Sequence, residues 1–204
     1  MSGTLYVVSA PSGAGKTSLI KALLLSAENV VMSVSHTTRP RRDNEKEGLD
    51  YHFVTEAEFE SLIAQSCFLE YARVFKCCYG TSRQWVLDQL QLNQDVILEI
   101  DWQGAQQVRS LMPESVSIYV LPPSLEVLQE RLINRQQDDH KTIEYRMSEA
   151  KKESLHYQEY DYLLINDEFN STLRQLSSII LAHRCRTKAQ VEKHQKLISN
   201  LLEV

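Results

Sequence analysis

Ser12-Gly13-Ala14-Gly15-Lys16-Thr17 brings two glycines, a lysine and a threonine together within six positions. A phosphate group needs several backbone N–H donors converging on it, and glycines let the main chain come close enough to supply them. A lysine closing such a loop reaches the β- and γ-phosphates of a bound nucleoside triphosphate, and the next hydroxyl can ligate Mg²⁺. Lys16 and Thr17 stand in those two places. The candidate phosphate-binding segment is Ala10, Pro11, Ser12, Gly13, Ala14, Gly15, Lys16, Thr17 and Ser18. The strict pattern G-x-x-x-x-G-K-[ST] has glycine where this chain has Ala10. That departure matters only if residue 10 needs a positive φ, which alanine resists.

A second set of candidates closes the apolar run Asp95-Val96-Ile97-Leu98-Glu99-Ile100-Asp101. Alternation along a strand puts Glu99 and Asp101 on one side, toward the loop, where either could act through a magnesium shell or orient a bound base. Carboxylates at a strand end also simply face water, and alternation does not separate the two readings. Asp101-Trp102-Gln103-Gly104 matches the D-x-x-G of GTPases, but the chain has no N-K-x-D to read guanine, so that class falls away. The arginines cluster: Arg39, Arg41 and Arg42 in one polar loop, and Arg131, Arg135 and Arg146 around a polar stretch near residue 140. Arg131 and Arg135, four apart, share a helix face. A planar guanidinium suits phosphate oxygens, and two such groups flanking a phosphate loop suggest two anionic substrates brought together. Taken alone, each group is equally a solvated basic face.

The chain has 204 residues, 22 basic and 27 acidic, for a net charge of −5. That length fits one domain, or a compact core carrying an insertion, with enough chain to bury a core without disulfides. The acidic balance argues against a general nucleic-acid binder. Cys67, Cys77, Cys78 and Cys185 form no C-x-x-C pair and read as thiols in a reducing compartment. The N-terminus lacks the pattern of a signal peptide, and no apolar run approaches the roughly 18 residues of a membrane span, so a cytoplasmic, membrane-free protein is expected.

These residues need elements to position them. Leu5–Ser9 reads as a strand buried on both faces, and Leu19, Ile20, Leu23 and Leu24 mark a helix over 16–25. Strands are expected at 30–34, 51–54, 68–75, 95–100, 116–121 and 162–165. Helical segments are expected at 56–64, 105–111, 142–157 and 173–183, with another after Ser124 as its cap. The last twenty residues read as one more helix. Alternating strands and helices imply an α/β fold with a parallel sheet, whose ligands bind beyond the carboxyl ends of the strands.

Five further motifs follow the phosphate loop in order: Ser33-Val34-Ser35-His36-Thr37-Thr38-Arg39, Asp50-Tyr51-His52-Phe53, Phe68-Leu69-Glu70-Tyr71-Ala72, Tyr79-Gly80-Thr81 and Ile100-Asp101-Trp102-Gln103-Gly104. The series resembles the guanylate kinase family over residues 5–180. The resemblance implies an α/β, P-loop nucleoside-monophosphate-kinase fold in a single domain over 1–204. Its parallel-sheet core would cover 1–35 and 94–204, with an inserted GMP-binding lobe at about 36–93 and a lid at about 136–145. It implies transfer of phosphate from ATP to GMP, with Mg²⁺, in purine nucleotide metabolism. The family's GMP-phosphate ligands fall on Arg39, Arg42, Tyr51 and Tyr79. Its guanine-reading groups fall on Ser35, Glu70 and Thr81, with Glu99 and Asp101 as further candidates. The lid arginines fall on Arg131, Arg135 and Arg146, and the adenine and ribose side on Asn166 and Asp167. Lys16, Arg39, Arg135 and Arg146 are the expected catalytic groups, Arg131 being more structural. Thr17, with Asp101 through water, is the expected metal site.

The family commonly reads T-T-R-x-P-R-x-G-E, whereas this chain has Arg39-Pro40-Arg41-Arg42-Asp43-Asn44-Glu45. Arg41 and Arg42 both stay open as the second phosphate ligand, with spacing favouring Arg42. Guanine offers two adjacent donors, N1–H and the 2-amino group, and a carboxylate at Glu70 accepts both; the adenine edge does not match it. The hydroxyls of Ser35 and Thr81 can donate to the O6 carbonyl. A site built this way rejects the wrong base by roughly 10⁴-fold or more. The rivals are a guanylate-kinase-like binding module, against which the intact loop argues, and another P-loop kinase, against which Glu70, Tyr79 and Thr81 argue. Self-association through the segment from Thr187 stays open.

Overall fold

The computed structural model describes residues 3–74, 76–134 and 140–202. In chain order the elements are β1 (Leu5–Ser9), α1 (Lys16–Ser26), β2 (Val30–Met32), β3 (His36–Thr37), β4 (His52–Phe53), α2 (Glu56–Ala64), β5 (Phe68–Val74), β6 (Cys77–Ser82), α3 (Arg83–Gln91) and β7 (Asp95–Glu99). They continue with α4 (Trp102–Leu111), β8 (Val116–Leu121), α5 (Leu125–Asn134), α6 (His140–Ser154), a 3-10 turn (Leu155–Glu159), β9 (Tyr162–Ile165), α7 (Phe169–Arg184), α8 (Thr187–Lys193) and α9 (Gln195–Leu202).

Five strands form one sheet in the order β2-β7-β1-β8-β9, every neighbouring pair parallel. β1 lies at its centre, and its side chains alternate between two cores. Tyr6 and Val8 pack with Leu19, Ile20 and Leu23 of α1 and Leu176, Ile179 and Ile180 of α7. Leu5 and Val7 pack on the other face with Val86 and Leu90 of α3 and Ala105 and Val108 of α4. Each such aliphatic side chain contributes roughly 1.5–3 kcal/mol when fully buried. All five carboxyl ends therefore emerge along one edge, where Ala10–Gly15, Ile100–Asp101 and Asn166 follow their strands.

A second sheet, in the order β4-β3-β6-β5, is built from residues between 36 and 82. β3 pairs parallel with β4 and antiparallel with β6, which pairs antiparallel with β5. Its own core is Phe59, Phe68 and Cys78. The register slips between Phe68 and Glu70, a bulge that leaves Phe68, Leu69 and Glu70 all buried in succession. Leu69 joins the core under the parallel sheet, so this bulge also fastens the two sheets together.

Several elements differ from expectation for local reasons. No element was expected at 83–91, which folds as α3: Ser82 caps it by accepting the Trp85 amide, and only Val86 and Leu90 are buried. The helix expected from 105 starts at Trp102, because Asp101 accepts the Gly104 amide as an N-cap. The helix expected to run to 157 ends at Ser154 and tightens into the 3-10 turn. The C-terminal segment is two helices rather than one, broken at His194, whose ψ of 25° leaves the helical range. Neither glycine nor proline marks that break. Of the expected lid, only 140–145 lies within the described residues.

Asp95, at the start of β7, joins the sheet to the C-terminal half. Its Oδ1 accepts the Thr4 amide at 2.8 Å and its Oδ2 accepts Arg184 Nε at 2.8 Å, while Arg184 also donates to Glu28 O at 2.7 Å. The Asp95 side chain is only 7% exposed against 31% for Arg184. Arg184→Met should leave a buried carboxylate half-satisfied and lower stability by about 1–3 kcal/mol. Urea unfolding measures this, and a change below about 0.5 kcal/mol would show the pair to be dispensable.

Candidate active site

The loop between β1 and α1 turns its amides toward one point. Gly13 and Gly15 have φ of 93° and 95°, values costly to any residue with a Cβ. A Cβ on Gly15 would also collide with Asn166 Nδ2. Gly15 is the N-cap of α1 and supplies no side-chain cap, so the first-turn amides remain available as donors. Ala10 is not among the residues with positive φ, so its replacement of glycine costs the loop nothing.

The loop is held from behind. Asn166, at the end of β9, donates through Nδ2 to Ala14 O at 2.7 Å. Arg131 on α5 donates to Ala14 O at 3.3 Å and to Asn166 O at 3.0 Å. Lys16 Nζ donates to Ile100 O at 3.2 Å, across the end of β7.

Loop and second sheet face each other across one cavity of about 1090 Å³. Residues 9–18, Glu99, Asp101, Arg131, Arg146 and Asn166 line it on the side of the parallel sheet, and Arg39, Arg42, Tyr51 and Tyr79 on the other. Arg42 borders this space and Arg41 does not. Arg39 pairs with Glu45 at 2.5 Å and lies over the Tyr51 ring at 5.4 Å; Tyr51 meets Tyr79 edge-on at 5.9 Å. The other Glu45 oxygen accepts the Arg42 amide at 2.9 Å. Burial alone would raise the Glu45 pKa, but these hydrogen bonds outweigh it and hold the carboxyl below its usual range. Sequence reasoning gave Glu45 no role, although its place three residues after Arg42 and six after Arg39 is the signal.

Strand alternation placed Glu99 and Asp101 together, and the structure separates their contacts. Thr17 Oγ1 donates to Glu99. Asp101 instead caps α4, accepting Gly104 N at 2.9 Å on Oδ1 and Gln103 Nε2 at 3.1 Å on Oδ2. The chain has already left the strand at Asp101, so alternation no longer governs it.

Ser35, Glu70, Thr81 and Asp167 do not line the cavity. Glu70 is 3% exposed and Thr81 fully buried; Thr81 donates to Glu70 Oε1 at 2.5 Å. That hydroxyl hydrogen is committed to Glu70, so Thr81 orients the carboxyl here. A Cβ on Gly104 would collide with Glu70 Oε2, so α4 needs glycine there to approach β5. The Ser35 main-chain carbonyl accepts the His52 amide at 2.9 Å. Arg135 lies outside the described residues. Trp102, which sequence reasoning passed over as a contact, borders the cavity and stacks on His156 at 3.8 Å and 7°.

A phosphate loop feeding the first helix of a parallel α/β sheet defines a phosphate-loop kinase fold. A family model described as guanylate kinase matches residues 2–183. The chain is 54% identical over 200 residues to the guanylate kinase of Saccharophagus degradans, covering 98% of each chain. It is 48% identical over 199 residues to that of Coxiella burnetii, covering 98% of this chain and 97% of the relative. The crystal structure of guanylate kinase from Anaplasma phagocytophilum matches with a TM-score of 0.77 and 36% identity, covering 91% of this chain and 88% of that one. The chain belongs to the guanylate kinase family.

Burial pushes the Glu70 pKa up from 4.5 to about 7; the Thr81 hydrogen bond opposes the rise and Asp101 adds to it. Below pH 4.5 the folded and unfolded chains both hold this proton. Between about 4.5 and 7 only the folded chain does, so stability falls as pH rises through that window, and above 7 the full cost of a buried charge is felt. Glu70→Gln should flatten this slope and be more stable than wild type at pH 8 by about 1–3 kcal/mol. Denaturation at pH 5 and pH 8 measures it; a variant less stable at both would contradict the assignment.

Proposed function

We propose that this chain transfers the γ-phosphoryl group of ATP to the phosphate of GMP, giving ADP and GDP, a step of purine nucleotide metabolism. One observation carries the reading: the phosphate loop and the Arg39–Arg42–Tyr51–Tyr79 cluster line opposite walls of a single cavity, which lets two phosphorylated substrates meet end to end. Residues 10–18 cradle the ATP phosphates, Lys16 reaches toward the transferring group, and Arg131 and Asn166 keep the loop in shape. The tyrosine hydroxyls and the two guanidiniums hold the GMP phosphate. Arg146, on α6 and bordering the same space, serves the transferring group, an arginine role worth roughly 10³–10⁵ in rate. Arg135 keeps the same role as an expectation.

Thr17, with Glu99 beside it and Asp101 through water, offers the hard oxygen donors that Mg²⁺ prefers. Mg²⁺ there would neutralise charge on the β- and γ-phosphates. No general base is required, because the attacking GMP phosphate oxygen is already ionised. Binding energy instead goes to holding two polyanions in line against their repulsion.

Glu70, with Thr81 fixing one oxygen, reads the guanine edge, with Ser35 as a further donor and Asp167 on the ribose side of ATP. Only ionised Glu70 accepts from both N1–H and the 2-amino group. Among the described residues no helix is long and apolar enough to cross a membrane. We place the activity in the cytoplasm, with GMP and ATP as partners.

The test is ADP formation from ATP and Mg²⁺ with GMP, AMP, CMP or UMP as acceptor. Turnover with GMP alone is expected; turnover with another acceptor would overturn the base-reading assignment. In the same assay Arg42→Ala should raise the KM for GMP about 10–100-fold, the loss of one charged hydrogen bond, and Arg41→Ala should change it less than about threefold. The reverse order would move the phosphate ligand to Arg41.

A further inference from the structure

Glu153 sits in the last turn of α6, where the sequence shows only a charged helix. Its main-chain carbonyl accepts the Tyr119 hydroxyl at 2.7 Å, and Tyr119 is 1% exposed in β8, so this turn is fastened to the parallel sheet. The side chain lines the same cavity as Ser12, Gly13 and Lys16. Burial pushes the pKa of its carboxyl up, Asp101 and Glu149 add to the rise, and the nearby Lys16 ammonium and Ser12 backbone N–H oppose it by favouring the charged form. An N–H of the phosphate loop and the loop lysine are the donors that such a loop offers to phosphate oxygens.

We propose that Glu153 competes with the nucleotide's phosphates for the Ser12–Lys16 cradle and so sets triphosphate affinity. The inference rests on the reading of residues 10–18 as a phosphate site. A polyanion entering the cradle takes over the Ser12 amide and repels the carboxylate, which must withdraw. Arg146 lies seven residues before Glu153, two turns away and on the same face of α6. Met147 and Ala150, between them, pack on Leu128 and Leu132 of α5. Tyr119 and this packing hold α6 in place, so Glu153 withdraws by rotation of its own side chain while Arg146 keeps its place beside the cavity. The carboxylate tempers the positive cradle, which keeps the diphosphate product from being held as tightly as the loop alone would hold it.

The experiment is calorimetric titration of wild type and Glu153→Gln with sodium tripolyphosphate, without metal, and separately with adenosine. Glu153→Gln should bind tripolyphosphate about 5–10-fold more tightly at low salt, with the gap closing as ionic strength rises, and bind adenosine unchanged. Glu153→Met, a neutral side chain of similar length, should reproduce the gain. Glu114→Gln removes the same charge from a side chain 85% exposed and should match wild type. Equal or weaker tripolyphosphate binding by both Glu153 variants, or an equal gain in Glu114→Gln, would overturn the role of Glu153 alone. Failure of wild type and every variant to bind tripolyphosphate would overturn the phosphate-loop reading and this inference with it.

Discussion

A loop that turns its amides inward must turn carbonyls outward, and those carbonyls need donors of their own. Ala14 is fully buried, so its carbonyl has no water to fall back on, and leaving it unpaired would cost about 1–3 kcal/mol. Two hydrogen bonds meet it, one from Asn166 at the end of β9 and one from Arg131 on α5. The loop's shape thus depends on the far edge of the parallel sheet and on a helix more than a hundred residues away in sequence. Gly15 is required by the same arrangement, because any side chain there would displace Asn166. Arg131 and Asn166 act on phosphate first by shaping the loop that receives it.

The second sheet meets the core under a similar constraint. A regular β5 would alternate its side chains, and Phe68 and Glu70 would share a face. The bulge between them lets Phe68 fill the small core with Phe59, Leu69 enter the core of the parallel sheet, and Glu70 turn toward Thr81 and α4. Asp101 starts α4 and Gly104 lets it approach, so the cap of that helix and the burial of Glu70 are one arrangement. The raised pKa of Glu70 follows from this packing before any ligand is considered.

Contiguous patterns made half of this legible in the sequence. Loop and first helix follow from Gly13, Gly15, Lys16 and Thr17 after an apolar run, and α2 from apolar spacing that matches its observed bounds, Glu56–Ala64. The α3 helix was hidden because only Val86 and Leu90 face the core, too few to stand out in a polar stretch. β3, two residues long, owes its existence to pairing with β6 some forty residues on, seen in Thr37 Oγ1 donating to Cys78 O and Cys78 N donating to Thr38 Oγ1. Local propensity carries no trace of such bonds. In the site, residue types were legible and partners were not. Glu99 and Asp101 look equivalent until the chain turns at Asp101, and Glu153 looks like any surface glutamate of a charged helix until Tyr119 fastens its turn to the sheet.

The partners found in this way share a logic. Arg39 is only 16% exposed at its side chain, and a guanidinium that far from water needs a counter-charge, which Glu45 supplies. Thr17 has Glu99 beside it, and Lys16 lies close enough to Glu153 to favour its charged form. Arg39 and Thr17, both bordering the cavity, are thus preorganised by internal carboxylates that also compete for them. A single negative charge arriving there would gain little by exchanging with a carboxylate already in place. A phosphate with two or more charges gains more, since it reaches several donors at once and displaces ligands that each reach one or two. On the proposed function, selectivity for phosphorylated substrates over other anions comes from this internal competition as much as from the number of positive charges lining the cavity.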